Sequence, residues 1–145
     1  LEHIYGSKDS ESKFVSWLLN QMISSDDDIP LTKGTQKRDF VHVEDVVAAY
    51  IMLLKLKEVL PEWNEFDVGS GQLITVREFV NTLATIAEMK LKVNFAERFK
   101  FGVVPYRDGD IMEPTLDTSS LVDLGWRPKV SLIDGLGRLL NDELS

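Results

Sequence analysis

The chain has no cysteine, which excludes a disulfide framework, a thiol nucleophile and any thiolate metal site. Histidine is almost as scarce, and His3 and His42 stand too far apart in sequence to suggest a metal site. Positive charge is the minority sign: 16 basic residues face 24 acidic ones. Phosphate backbones and anionic lipid repel such a molecule, so neither nucleic acid nor a membrane is an expected partner. No apolar run reaches the ~18 residues of a membrane span, and no basic, apolar and small-residue succession resembles a signal peptide. A cytoplasmic protein is the expectation. What is present suffices for a core, since 43% of the 145 residues are hydrophobic, in about one domain's length.

The opening residue is Leu1 rather than Met, and Leu1-Glu2-His3-Ile4-Tyr5 alternates apolar and polar before Gly6, as a short strand entering a turn does. A strand in first place needs neighbours, so the chain reads as a piece of a longer protein lacking its N-terminal part. Apolar residues from Phe14 to Ile23 recur at helical spacing up to the acidic loop Asp26-Asp27-Asp28. Ile29 to Thr32 and Phe40 to Val43 read as extended segments around a turn at Lys33-Gly34-Thr35-Gln36-Lys37. Val43, Val46, Val47, Tyr50, Ile51 and Leu54 predict the buried face of a helix, with Glu44 and Asp45 favoured by the dipole in its first turn.

Glu65-Phe66-Asp67-Val68 reads as a strand broken by Gly69-Ser70-Gly71. Thr75 and Glu78 then form a capping box ahead of an apolar face at Val76, Phe79, Val80, Leu83, Ile86 and Ala87. Lys92 to Ala96 is a further candidate strand. Asp117 caps a short helix that Gly125 ends, and Ser131 opens the last amphipathic helix. No repeat or linker divides the chain, so residues 1–145 read as one unit of mixed α and β.

Gly69-Ser70-Gly71-Gln72-Leu73-Ile74 occupies the place of a phosphate-cradling glycine fingerprint, between strand and helix. Ile74 stands at the third glycine position and only one βα unit follows, so a tight turn needing positive φ is the better reading. Arg38 precedes the alternating Phe40-Val41-His42-Val43, and Arg107 lies in Tyr106-Arg107-Asp108-Gly109-Asp110, where Gly109 lets the chain turn and aims Arg107 and Asp110 the same way. Two such planar forks suit a diphosphate; alternatively Arg38 and Asp39 are solvated turn charges. His42 reads as a core or cap residue without chemistry. Trp17, Trp63 and Trp126 are scattered, as packing residues are.

Five stretches together resemble the C-terminal half of the extended short-chain dehydrogenase/reductase family of NAD-dependent nucleotide-sugar epimerases, dehydratases and reductases. They are Ile4 to Gly6, Gly34 to Tyr50, Glu65 to Phe79, Arg107 to Asp110 and Leu124 to Leu136. Lys33 to Val47 looks closest to reductases and epimerases of CDP-linked deoxyhexoses, sugars of surface polysaccharide biosynthesis. The resemblance implies the C-terminal part of a Rossmann-type α/β fold with most of the parallel sheet missing from this chain. Leu1–Tyr5 and Glu65–Val68 would be strands of that sheet.

The resemblance further implies that NAD or NADP is bound mainly by an N-terminal part, which also carries the Tyr-x-x-x-Lys pair. Tyr5, Tyr50 and Tyr106 each lack a lysine four residues on, so no catalytic residue is assigned and this chain alone is expected to be inactive. Its expected partner is a nucleoside-diphosphate sugar, and the whole protein is expected to be a homodimer. Arg38 and Arg107 match the family's diphosphate-contacting arginines, Asp110 a position near the ribose, Lys13 and Phe14 a substrate-contacting pair, and Leu31 and Thr32 the base pocket. Ser7 and Asp67 depart from the family's usual proline and asparagine, the second of which leaves the base open. A binding module that kept the fold without the redox chemistry is the rival expectation.

Overall fold

The computed structural model describes residues 3–145; Leu1 and Glu2, the start of the expected first strand, lie outside the described residues. In chain order the elements are β1 His3–Tyr5, α1 Phe14–Ser24, β2 Ile29–Leu31, β3 Lys37–His42, α2 Val43–Leu56, β4 Leu73–Thr75, α3 Val76–Leu91, β5 Phe99–Phe101, α4 Ser119–Asp123 and α5 Leu132–Glu143. β3 pairs with β1 in parallel and with β4 antiparallel, giving the order β1-β3-β4, while β2 and β5 form a separate parallel pair. Both sheets are small, in keeping with an α/β fold whose main parallel sheet is not in this chain.

Local chemistry sets the helix ends. The amide of Glu78 donates to the Thr75 hydroxyl at 3.1 Å and the amide of Thr75 to the Glu78 carboxylate at 2.7 Å, the expected capping box. These bonds hold the Glu78 carboxyl below its ordinary range. Lys92 closes α3 in the left-handed conformation at φ 58°, donating to the Glu88 carbonyl. The Arg98 guanidinium satisfies the end of α1, donating to the carbonyls of Gln21 at 2.8 Å, Met22 at 3.0 Å and Asp27 at 3.0 Å. Phe79, Val80, Leu83 and Ala87 of α3 fill the main core between Leu18, Leu19 and Met22 of α1 and Leu136, Leu139 and Leu140 of α5. Each such aliphatic or aromatic side chain contributes about 1.5–3 kcal/mol when fully buried. The Phe79 ring stacks on Phe40 at 3.9 Å, which ties this helix to the central strand.

Several expectations are corrected. The helix at Val43 forms, but Val43, Val47, Tyr50, Ile51 and Leu54 are exposed, and Asp45, Val46 and Ala49 are the buried residues. The cause is a polar anchor: the Asp45 carboxylate accepts the amides of Lys129 at 2.9 Å and Val130 at 3.0 Å, and Trp126 Nε1 donates to the Asp45 carbonyl at 3.2 Å. Segment 126–130 therefore covers that side of the helix. Glu65–Val68 pairs with no strand among the described residues, and the Ser70 amide that follows turns to the Asp39 side chain. β4 lies beyond the glycines.

Lys92 to Ala96 is likewise irregular: the left-handed Lys92, the Asn94 side chain accepting from the Ala96 amide at 2.9 Å and the Phe95 amide bound to Glu88 at 2.8 Å replace a ladder. The strand follows at Phe99–Phe101. Asp117 does accept from the Ser119 amide at 2.9 Å, one residue ahead of the Thr118 cap position, and Gly125 ends α4 at φ 95°. Of the tryptophans only Trp126 is buried, and Trp63 is 89% exposed.

Candidate functional site

Side chains alternate along a strand, so Arg38, Phe40 and His42 share one face of β3. The parallel register sets His3 beside Phe40 and Tyr5 beside His42, and both ring pairs meet edge-on, with centroids 5.7 Å and 5.3 Å apart. His42 is the cap that its sequence setting suggests: its Nδ1 accepts from the Glu44 amide at 3.3 Å at the start of α2. Burial holds its imidazole below the ordinary histidine range. Tyr5 is buried against α5, and burial reinforced by Asp45 raises its phenol above the ordinary range, which disqualifies it as a base at neutral pH.

Arg38 stands at the open end of this face. Its Nη1 donates to the carbonyls of Lys37 at 2.6 Å and Ile111 at 2.5 Å, and its Nη2 to the Asp110 carboxylate at 2.5 Å. Asp39, one residue on, points to the opposite face and is fully buried, accepting the amides of Ser70 at 2.6 Å and Gly71 at 2.7 Å. The reading of Arg38 and Asp39 as solvated turn charges is thereby overturned: each has its own partner more than thirty residues away.

The same contact explains the glycines. A Cβ on Gly69 would lie 2.5 Å from Leu116 Cδ2 and 3.0 Å from Asp39 Oδ2, so close approach, together with φ 77° at Gly71, sets the requirement. The Ser70 and Gly71 amides are spent on Asp39, so this turn offers no cradle for a dinucleotide pyrophosphate.

Arg107 and Asp110 come from the loop after β5. The Asp110 amide donates to the Arg107 carbonyl at 3.0 Å across Gly109 at φ 78°, the sharp turn expected there. Tyr106 bridges two loops, its hydroxyl meeting the Thr35 amide at 3.1 Å and the Thr35 hydroxyl at 2.7 Å.

These elements enclose a groove of two compartments. A cavity of about 580 Å³ is walled by Phe14, Trp17, Leu31 and Phe101, with Thr32 and the buried Gln36 supplying polarity; Gln36 Nε2 donates to the Thr32 hydroxyl at 3.2 Å. A larger one, about 1030 Å³, is bounded by Tyr5, Ser7, Asp9 and Lys13. His3, Phe14, Arg38, Arg107 and Asp110 line both. Every residue singled out in the sequence, Lys13, Phe14, Leu31, Thr32, Arg38, Arg107 and Asp110, thus lies on this groove. His3, Gln36 and Trp17 were not anticipated; the pairing of β1 with β3, which no local pattern reveals, is what brings His3 to it.

The family model described as the NAD dependent epimerase/dehydratase family matches residues 1–69. The CDP-abequose synthase of Salmonella typhimurium is 31% identical over 140 residues, covering 97% of this chain and 46% of the relative. The enzyme of that name from Salmonella muenchen is 33% identical over 141 residues, covering 97% and 45%. Among solved structures, the UDP-glucose 4-epimerase of Thermotoga maritima with UDP-glucose matches with a TM-score of 0.76 at 26% identity, over 99% of this chain and 45% of that one. The dTDP-glucose 4,6-dehydratase of Streptomyces venezuelae shares the fold at a TM-score of 0.76 and 23% identity, over 97% and 41%. The chain spans about half the length of the curated relatives it matches. Residues 1–69 thus match the NAD dependent epimerase/dehydratase family, and with its ordered motifs, its fold and these relatives in agreement the chain is similar to the C-terminal part of an extended short-chain dehydrogenase.

Proposed function

We propose that residues 1–145 form the substrate-binding part of an enzyme acting on a nucleoside-diphosphate sugar as an epimerase, dehydratase or reductase, with NAD(P) bound mainly by a part of the protein N-terminal to these residues. The observation that carries this reading is the placement of Arg38 and Arg107 where an apolar compartment opens into a polar one. A base fits the smaller cavity between Phe14, Trp17, Leu31 and Phe101, with Thr32 and Gln36 available to its polar edge. The diphosphate then lies along the arginines, whose planar forks match pairs of phosphate oxygens. The sugar extends past Lys13 into the larger cavity.

The chemical contribution of these residues is positioning. Contacts made to the nucleotide, remote from the reacting carbon, hold the sugar in one orientation and lower the entropic part of the barrier. The test is a thermal-shift panel of CDP-, UDP-, dTDP- and GDP-glucose on the intact protein. A ligand at a hundred times its dissociation constant adds ~2.7 kcal/mol to stability, so one base series should raise the midpoint. No shift with any of the four would remove the reading.

A further inference from the structure

Among the described residues, His3 is the one histidine on the groove, and it lines both cavities. The strand register places it beside Phe40 and one step along from Arg38, and its ring lies edge-on to Phe40 at 5.7 Å with the imidazole open to the groove. Charged groups act on it from every neighbouring element: Arg38 from β3, Asp39 from the far face of that strand, Asp110 from the loop after β5, and Lys13 from the entry to α1. Arg38 and Arg107 line the same two cavities as the ring.

We propose that His3 is a proton-dependent contact to the diphosphate, neutral in the free groove and protonated when the ligand is bound; this rests on the nucleotide-sugar reading above. In the free protein, partial desolvation of the ring at the groove wall and the Arg38 charge outweigh the Asp110 and Asp39 carboxylates and disfavour the imidazolium. A diphosphate diester carries two negative charges that do not titrate near neutrality, and it reverses that balance by facing the imidazolium with an opposite charge at close range. Binding then takes up a proton, and by linkage the ligand binds better as the pH falls. Arg38 and Arg107 hold the anion at every pH; His3 adds a contact that depends on pH.

With two histidines in the chain, imidazole NMR resolves the question directly, His42 serving as the internal reference and His3→Gln giving the assignment. The probes are CDP-glucose, UDP-glucose and dTDP-glucose, whose diphosphates have no titrating oxygen in the range. The expected result is a His3 pKa about one unit higher in the complex with whichever nucleotide sugar binds, His42 unmoved, and an affinity several-fold higher at pH 5.5 than at pH 8, with about tenfold as the limit at lower pH. His3→Gln, which keeps a hydrogen-bonding side chain but no titration, should bind with an affinity flat over that range. Binding with an unmoved His3, or a pH dependence that survives in His3→Gln, overturns the role of His3 and leaves the substrate-binding reading standing. Failure of these three and of GDP-glucose to bind at any pH overturns both.

Discussion

The Asp110 carboxylate lies 2.5 Å from Nη2 of Arg38, holding the guanidinium of one groove wall by a residue of the opposite loop. Both side chains are largely shielded from water, so this ion pair is fixed more firmly than an exposed one. With Nη1 and one Nη2 hydrogen spent on Lys37, Ile111 and Asp110, the Nε hydrogen and the second Nη2 hydrogen remain for a ligand.

Replacing Arg38 or Arg107 by alanine should therefore weaken nucleotide-sugar binding by roughly ten- to hundredfold, since a charge-assisted hydrogen bond contributes about 1.5–3 kcal/mol. Arg38→Lys should recover little, because a lysine cannot serve Ile111, Asp110 and a phosphate in one plane. Isothermal titration of wild type and variants with the nucleotide sugar that shifts the wild-type midpoint is the measurement. Unchanged affinity in both alanine variants would take the diphosphate off this wall.

Asp39→Asn tests the buried carboxylate behind that wall. Asparagine can accept from one of the Ser70 and Gly71 amides, and its own N–H faces the other. A loss of about 1.5–3 kcal/mol in urea unfolding is expected. A loss under about 0.5 kcal/mol would mean that the amides find water or another acceptor instead.

The glycines of α5 should respond in opposite directions. A Cβ on Gly135 would lie 2.9 Å from Tyr5 Cζ and 3.0 Å from His42 Cδ2, so Gly135→Ala forces the helix away from the sheet, at a cost of about 1–3 kcal/mol. On Gly137 a Cβ meets open space, and Gly137→Ala should stabilise the chain by about 0.5–1 kcal/mol. Adding Tyr5→Phe to Gly135→Ala removes the crowding hydroxyl and should recover part of the loss. Thermal unfolding of the set reads all three, and equal midpoints for the two alanine variants would contradict the packing.

Acid should destabilise the fold in two stages. His42 is held neutral by burial, so the unfolded chain takes up a proton near its ordinary value of 6.5 before the folded chain does. Stability is complete above that value and falls as the pH drops from 6.5 towards the lower folded-state pKa. His3, also lowered by burial, acts in the same sense. Glu78 and Asp117, lowered by hydrogen bonds, add a second decline below their ordinary values of 4.5 and 3.8. Urea midpoints against pH should show the first decline reduced in His42→Asn, which can cap α2 without titrating. An unaltered first stage would assign it elsewhere.

What could be read in advance divides by the range of the interactions. α3 and α5 were legible because Thr75 with Glu78 and Ser131 with Asp134 act within one turn, and the apolar spacing behind them matches the buried face. The outward face of α2 was not, since its orientation is set by Asp45 reaching the amides of Lys129 and Val130. Glu65–Val68 has the composition of a strand but no ladder, a fact about neighbours rather than about residues. Arg38 and Arg107 were selected on the chemistry of planar donors, whereas the engagement of Arg38 by Asp110 needed the loop to be seen returning across seventy residues of chain.

The groove is assembled from β1, the entry to α1, β3 and the loop after β5, segments distant in sequence; β1 and β3 pair as strands, and the loop is tied to its neighbours by bonds such as Arg38 to Asp110 and Tyr106 to Thr35. A ligand lying along it works as a reversible crosslink. It closes chain loops that thermal motion would otherwise open, so occupancy should be felt as slower amide hydrogen exchange in β1 and β3 at once, the strand beneath one wall reporting on molecules held by the other.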